Sequence, residues 1–78
     1  MSPTIMRAGK YRFFFYSREE KRPHIHVRTA EKEAKFWLNP IELVENYGYN
    51  NNELNEIFHL INGHKEFLLA KWGGFHGS

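Results

Sequence analysis

Two histidines separated by one residue form the pattern in this sequence best suited to chemistry. They stand in Pro23-His24-Ile25-His26-Val27. Alternate side chains of a β-strand leave the same face, so both imidazoles would project together. Imidazole changes charge near neutral pH. A neutral and a protonated ring side by side can act as general base and general acid, as in metal-free cleavage of a phosphodiester. Arg28 follows on the same face and could steady the charge of a phosphorane. The same His-x-His spacing can ligate a metal. That alternative for His24 and His26 needs a third ligand, from His59, His64 or His76. A plainer reading makes them half-buried polar sheet residues or partner contacts.

Other chemistries find less support. The chain has no cysteine, which excludes disulfides, thiolate metal sites and a cysteine nucleophile. Glu53 and Glu56 share a helix and read as solvated charges. Trp72 reads as core or interface. Gly73-Gly74 lacks the context of a phosphate loop. No cofactor motif is present, so no cofactor is expected.

The elements that must position the histidines follow from periodicity. Tyr11-Arg12-Phe13-Phe14-Phe15-Tyr16 is aromatic and reads as a strand. Ser17 to Pro23 reads as a loop. His24 to Thr29 is a second strand and Ala34 to Leu38 a third, joined by a short hairpin connection. Short connections favour an antiparallel meander. Asn39-Pro40-Ile41-Glu42 predicts a helix start, with Asn39 as cap and Pro40 at the first helical position. This short helix would turn Ile41, Val44 and Tyr47 inward and stop at Gly48. A longer helix follows Asn50-Asn51-Asn52, with Leu54, Ile57, Phe58, Ile61, Leu68 and Trp72 at helical spacing. Gly63 interrupts it and Gly73-Gly74 ends it. The expected fold is α+β: a three-stranded antiparallel sheet followed by a short and a long helix packed on one face.

The two faces of such a sheet differ. Tyr11, Phe13, Phe15, Ile25, Val27, Ala34, Phe36 and Leu38 form an apolar set that should meet the helices. The opposite set is Arg12, Phe14, Tyr16, His24, His26, Arg28, Lys35 and Trp37. Cations interleaved with rings suit a nucleic-acid surface, where bases stack and Lys or Arg meets phosphate. They suit a protein-docking patch as well.

The 78 residues make a single domain, 1–78, and 41% of them are hydrophobic, enough for a compact core. Net charge is only +2, but nine of the eleven Lys and Arg residues stand at or before Lys35, against four of the nine acids. The N-terminal half therefore carries the positive excess. Met1 to Lys10 lacks the apolar region of a signal peptide. No apolar run approaches the roughly 20 residues of a membrane span. A cytoplasmic protein without membrane contact is expected.

Pro3-Thr4-Ile5, Gly9, Tyr11 to Ser17, the Pro-His-x-His-Val element, Glu33-Ala34-Lys35-Phe36-Trp37-Leu38, Pro40 and Glu66-x-Leu68-Leu69-x-x-Trp72 together resemble the domain-of-unknown-function 4160 family. The likeness spans almost the whole chain. It implies a small bacterial or archaeal protein encoded beside another small protein of the 2442 class. Such pairs are treated as toxin–antitoxin modules, with this domain as the toxin. No catalytic residue transfers from the family. The expected function is the toxin of such a pair, acting on RNA through the histidine-bearing face. Its partners would be a small antitoxin-like protein and RNA. A non-enzymatic protein-docking module and a His-x-His metal protein are the alternatives. The exposed sheet edges leave homodimerisation open.

Overall fold

Within the strands between Tyr11 and Leu38, core-facing apolar residues recur at every second position, which gives the sheet one apolar face for the helices to cover. The computed structural model describes residues 4–16 and 21–75. Its strands are β1 (Thr4–Ala8), β2 (Tyr11–Phe14), β3 (His24–Thr29), β4 (Lys32–Leu38) and β5 (Ile41–Tyr47). Helices α1 (Asn51–Gly63) and α2 (Lys65–Phe75) follow. The strands form one antiparallel meander in the order β1-β2-β3-β4-β5. The protein is thus α+β, with a five-stranded antiparallel sheet followed by two helices.

Two strands were not expected. β1 pairs with β2 across a turn at Gly9-Lys10, with Gly9 at φ 58°. The segment Ile41–Tyr47, expected as a short helix, is β5. Asn39 and Pro40 form a two-residue turn with a cis peptide, and Leu38 pairs directly with Ile41. The cap signals at Asn39 and Glu42 were local. The open edge of β4 offers a full ladder of backbone hydrogen bonds, which outweighs a seven-residue helix that is marginal by itself. Gly63 does interrupt the long helix: α1 ends there, and the His64 N–H donates to the Ile61 carbonyl at 3.1 Å. Gly73-Gly74 does not end α2, which runs on to Phe75. Of the loop expected from Ser17 to Pro23, residues 17–20 lie outside the described residues. No described helix is long and apolar enough to cross a membrane.

The apolar face is buried as its alternation predicts. Tyr11, Phe13, Phe15, Ile25, Val27, Ala34, Phe36 and Leu38 all lie in the core. Ile57 and Ile61 of α1, then Leu68 and Trp72 of α2, meet them at i, i+4 spacing. Trp72 is core, as expected.

Helix α1 is held at its first turn. Asn50 caps it, its Oδ1 accepting from the Glu53 N–H at 2.8 Å, while a Glu53 carboxylate oxygen accepts from the Asn50 N–H at 3.0 Å. Lys10, from the β1–β2 turn, reaches the same carboxylate at 3.1 Å. Lys32, opening β4, reaches both its oxygens at 3.1 Å. Glu53 is therefore not a solvated charge, as the sequence reading had it. The Asn50 N–H and then the two lysines hold its pKa down to about 2. Gly48, at φ +107°, lets the chain pass close to Lys32: a Cβ there would sit 3.0 Å from the Lys32 Cγ. Close by, Tyr11 donates to Glu56 at 2.6 Å and Tyr49 to Thr29 at 2.9 Å. Burial first, then Glu56, pushes the Tyr11 hydroxyl pKa up; burial raises that of Tyr49.

A depressed carboxylate pKa contributes stability above the unfolded value of 4.5 and loses it as pH falls through about 2. Glu53→Gln should therefore melt below the wild type at neutral pH, and the gap should close between pH 4.5 and 2. Thermal melts of both proteins across that range check this. Asn50→Ala should cost about 1 kcal/mol in denaturant unfolding.

Candidate functional site

The register of β2, β3 and β4 assembles the second face. Arg12 lies opposite Arg28, and Phe14 opposite His26. His24 lies opposite Trp37, His26 opposite Lys35 and Arg28 opposite Glu33. The strands thus bring the residues singled out in the sequence onto one face, the one without helices. Tyr16 follows the end of β2 and joins them through its ring.

The histidines do not lie open on this face. His24 is 0% exposed and His26 4%. Their rings meet edge-on, 5.3 Å apart. His24 also packs 5.9 Å from Trp37 and 4.7 Å from Trp72, whose own ring meets Phe15 at 5.2 Å. Trp72 therefore links the core to the histidine pair. His26 stacks on Phe14 at 5.6 Å and meets Tyr16 at 4.4 Å. Phe14 and Lys35 are buried too, while Tyr16 and Arg28 are exposed.

Two polar contacts define the imidazoles. The His24 Nδ1 lies 2.7 Å from the Arg22 carbonyl. A carbonyl only accepts, so Nδ1 carries the proton and Nε2 is the basic nitrogen of the neutral ring. The His26 Nδ1 lies 3.8 Å from a Glu33 carboxylate oxygen that also accepts from the Tyr16 hydroxyl at 3.1 Å. Tyr16, Glu33 and His26 thus form a chain with one carboxylate at its centre.

Cations cover the rings of this face. The Arg12 guanidinium lies 4.5 Å from the Phe14 centroid, and its Nε donates to Thr4 at 2.6 Å. Arg22 lies 4.2 Å and Lys35 4.9 Å from the Trp37 ring. Each geometry is a cation–π contact. The rings of Phe14 and Trp37, expected to be open for stacking, are thus already in contact with cations.

A metal alternative gains nothing from this arrangement. Among the described residues no three His, Asp or Glu side chains gather as a ligand set. His59 packs on Phe58, and the His64 Nδ1 bonds the Leu60 carbonyl. His76 lies outside the described residues. Three members of the site escaped the sequence reading. Glu33 was legible, because it lies two residues before Lys35 and so shares its face. Arg22 and Trp72 were not, because a loop and a distant helix carry them in.

Residues 11–73 match the family described as Domain of unknown function (DUF4160). The chain belongs to the DUF4160 family. The match runs from the first residue of β2 into α2, so it takes in the whole helix-free face from Arg12 to Trp37 and leaves β1 outside. No curated protein and no solved structure matches this DUF4160 chain.

The bond from His24 to Arg22 fixes a tautomer that NMR can read. Nitrogen shifts of labelled imidazoles, taken above pH 8, should show His24 protonated on Nδ1. An Nε2-protonated ring there would contradict the contact. Trp72→Ala, which removes the ring bridging Phe15 and His24, should cost about 3–5 kcal/mol in denaturant unfolding.

Proposed function

We propose that this DUF4160 protein is the toxin-side member of a two-protein toxin–antitoxin module, and that it acts on RNA by binding through its helix-free face. The observation that carries this reading is the set of cations gathered against the face of β2 to β4. Arg12, Arg22 and Lys35 are held over rings, and Arg28 stands exposed beside them. Held side chains lose little further rotamer freedom when they meet a phosphate. The family context described for DUF4160 supports the module.

The same geometry shapes the mode of action. Phe14 and Trp37 are covered by cations, so contact with phosphate rather than base stacking would lead recognition. An imidazole acting in cleavage must reach its substrate. His24 and His26 are buried, so binding is proposed and not cleavage. Their part is to support the rings and strands that carry the cations. Binding of this kind is sequence-tolerant and strongly salt-dependent.

Expression of the chain alone should slow growth of its host, and co-expression of the neighbouring small protein should relieve it. Retention of single-stranded RNA should fall steeply with salt, and Arg12→Ala or Arg28→Ala should each lower the slope of log K against log salt by about 1. Retention independent of salt would reject a phosphate-led mode. Cleavage products that vanish in His24→Ala or His26→Ala would replace binding with catalysis.

A further inference from the structure

Strand β5 is the least defended part of the fold. It pairs with β4 alone and ends the sheet. Glu42 to Tyr47 are all exposed. Leu43, Val44 and Tyr47 are 43%, 37% and 62% exposed, half of the large exposed apolar residues in the described chain. Edge strands are commonly protected by lysine, proline or short length. β5 has seven residues and neither Lys nor Pro. The opposite edge differs: β1 has five residues, carries Arg7, and packs Ile5 and Met6 against the core.

The charge on β5 is of one sign. Glu42 lies opposite Trp37 and Glu45 opposite Lys35, both on the helix-free side. The bulge between these pairs inserts an extra residue into β5, so that two acids three residues apart face two β4 residues two apart. They are consecutive positions on one face. Among the described residues no ion pair or side-chain hydrogen bond engages either glutamate.

We infer that β5 docks an extended segment of a second protein, added as a sixth strand, with Lys or Arg at alternate positions facing Glu42 and Glu45 and apolar residues beside Leu43. Backbone pairing supplies the affinity and the two acids supply register and choice of partner. A second copy of this chain fits poorly, because pairing β5 with itself brings four glutamates to one seam. The acidic edge adjoins the cationic face along β4, but strand addition uses the outer backbone groups of β5, which phosphate contact on β2 to β4 does not use, so either can fail without the other.

The probe is a blocked nine-residue peptide alternating lysine with valine, added to the full chain and followed by amide hydrogen exchange and NMR titration. Protection should appear at residues 41–47 and not at 4–8. A glutamate–valine peptide should bind at least tenfold more weakly. A lysine peptide with proline at the valine positions keeps its charge but loses backbone donors, and should give no protection. Glu42→Lys with Glu45→Lys should reverse the preference between the first two peptides; Glu42→Gln with Glu45→Gln should abolish it. Both acids are exposed, and melting curves confirm that each variant folds. No protection on β5, equal binding of the acidic peptide, or a β5-paired homodimer without peptide would each overturn the inference. RNA retention, measured on the same variants, should not fall, because both variants remove acids that lie opposite Trp37 and Lys35.

Discussion

The carboxylate of Glu53 joins the two halves of the chain. It closes the capping box of α1 and accepts Lys10 and Lys32 from the same end of the sheet. A charge at a helix N-terminus is favoured by the helix itself, and here two turns of the sheet depend on the same group. With α1 pinned at that end, Ile57 and Ile61 fall across the apolar face. The turn at His64 then starts α2 beside Asn39, which Lys65 contacts at 3.2 Å, and α2 carries Trp72 to Phe15 and His24 at the far end. The two helices thus cover one face of the sheet, and Trp72 of α2 reaches round to His24 on the other.

On the opposite face, rings pack edge-on and stacked, and arginine and lysine side chains meet them, which helps to bury the polar residues there. Burying an imidazole without partners would be costly. His24 avoids that through the Arg22 carbonyl, and His26 lies beside Glu33. The result is a packed layer of rings with Arg12, Arg22 and Lys35 in contact with it and the two histidines buried within it.

The helix-facing set from Tyr11 to Leu38 was legible because alternation is a local consequence of strand geometry. So were a helix capped within Asn50-Asn51-Asn52 and its interruption at Gly63, though the expected single long helix is two, α1 and α2. Strand β5 was misread for an equally physical reason. Asn39, Pro40 and Glu42 satisfy the rules of a helix start, and Ile41, Val44 and Tyr47 are spaced three apart. The bulge at β5 disturbs the period of two that would have marked a strand. Strand β1 is short and half-exposed, so its pattern is weak.

By itself the sequence determined the family, the α+β class, the two-sided character of the central strands and the shared face of His24, His26, Arg28, Lys35 and Trp37. All of these rest on residue type and spacing along a few consecutive positions. Tertiary structure decided that the histidines are buried, that Arg22 and Trp72 belong to their surroundings, that Glu53 is an anchor, and that β5 is an exposed acidic edge. Each of those depends on groups that meet across a fold, where the partner's distance along the chain carries no signal in local pattern.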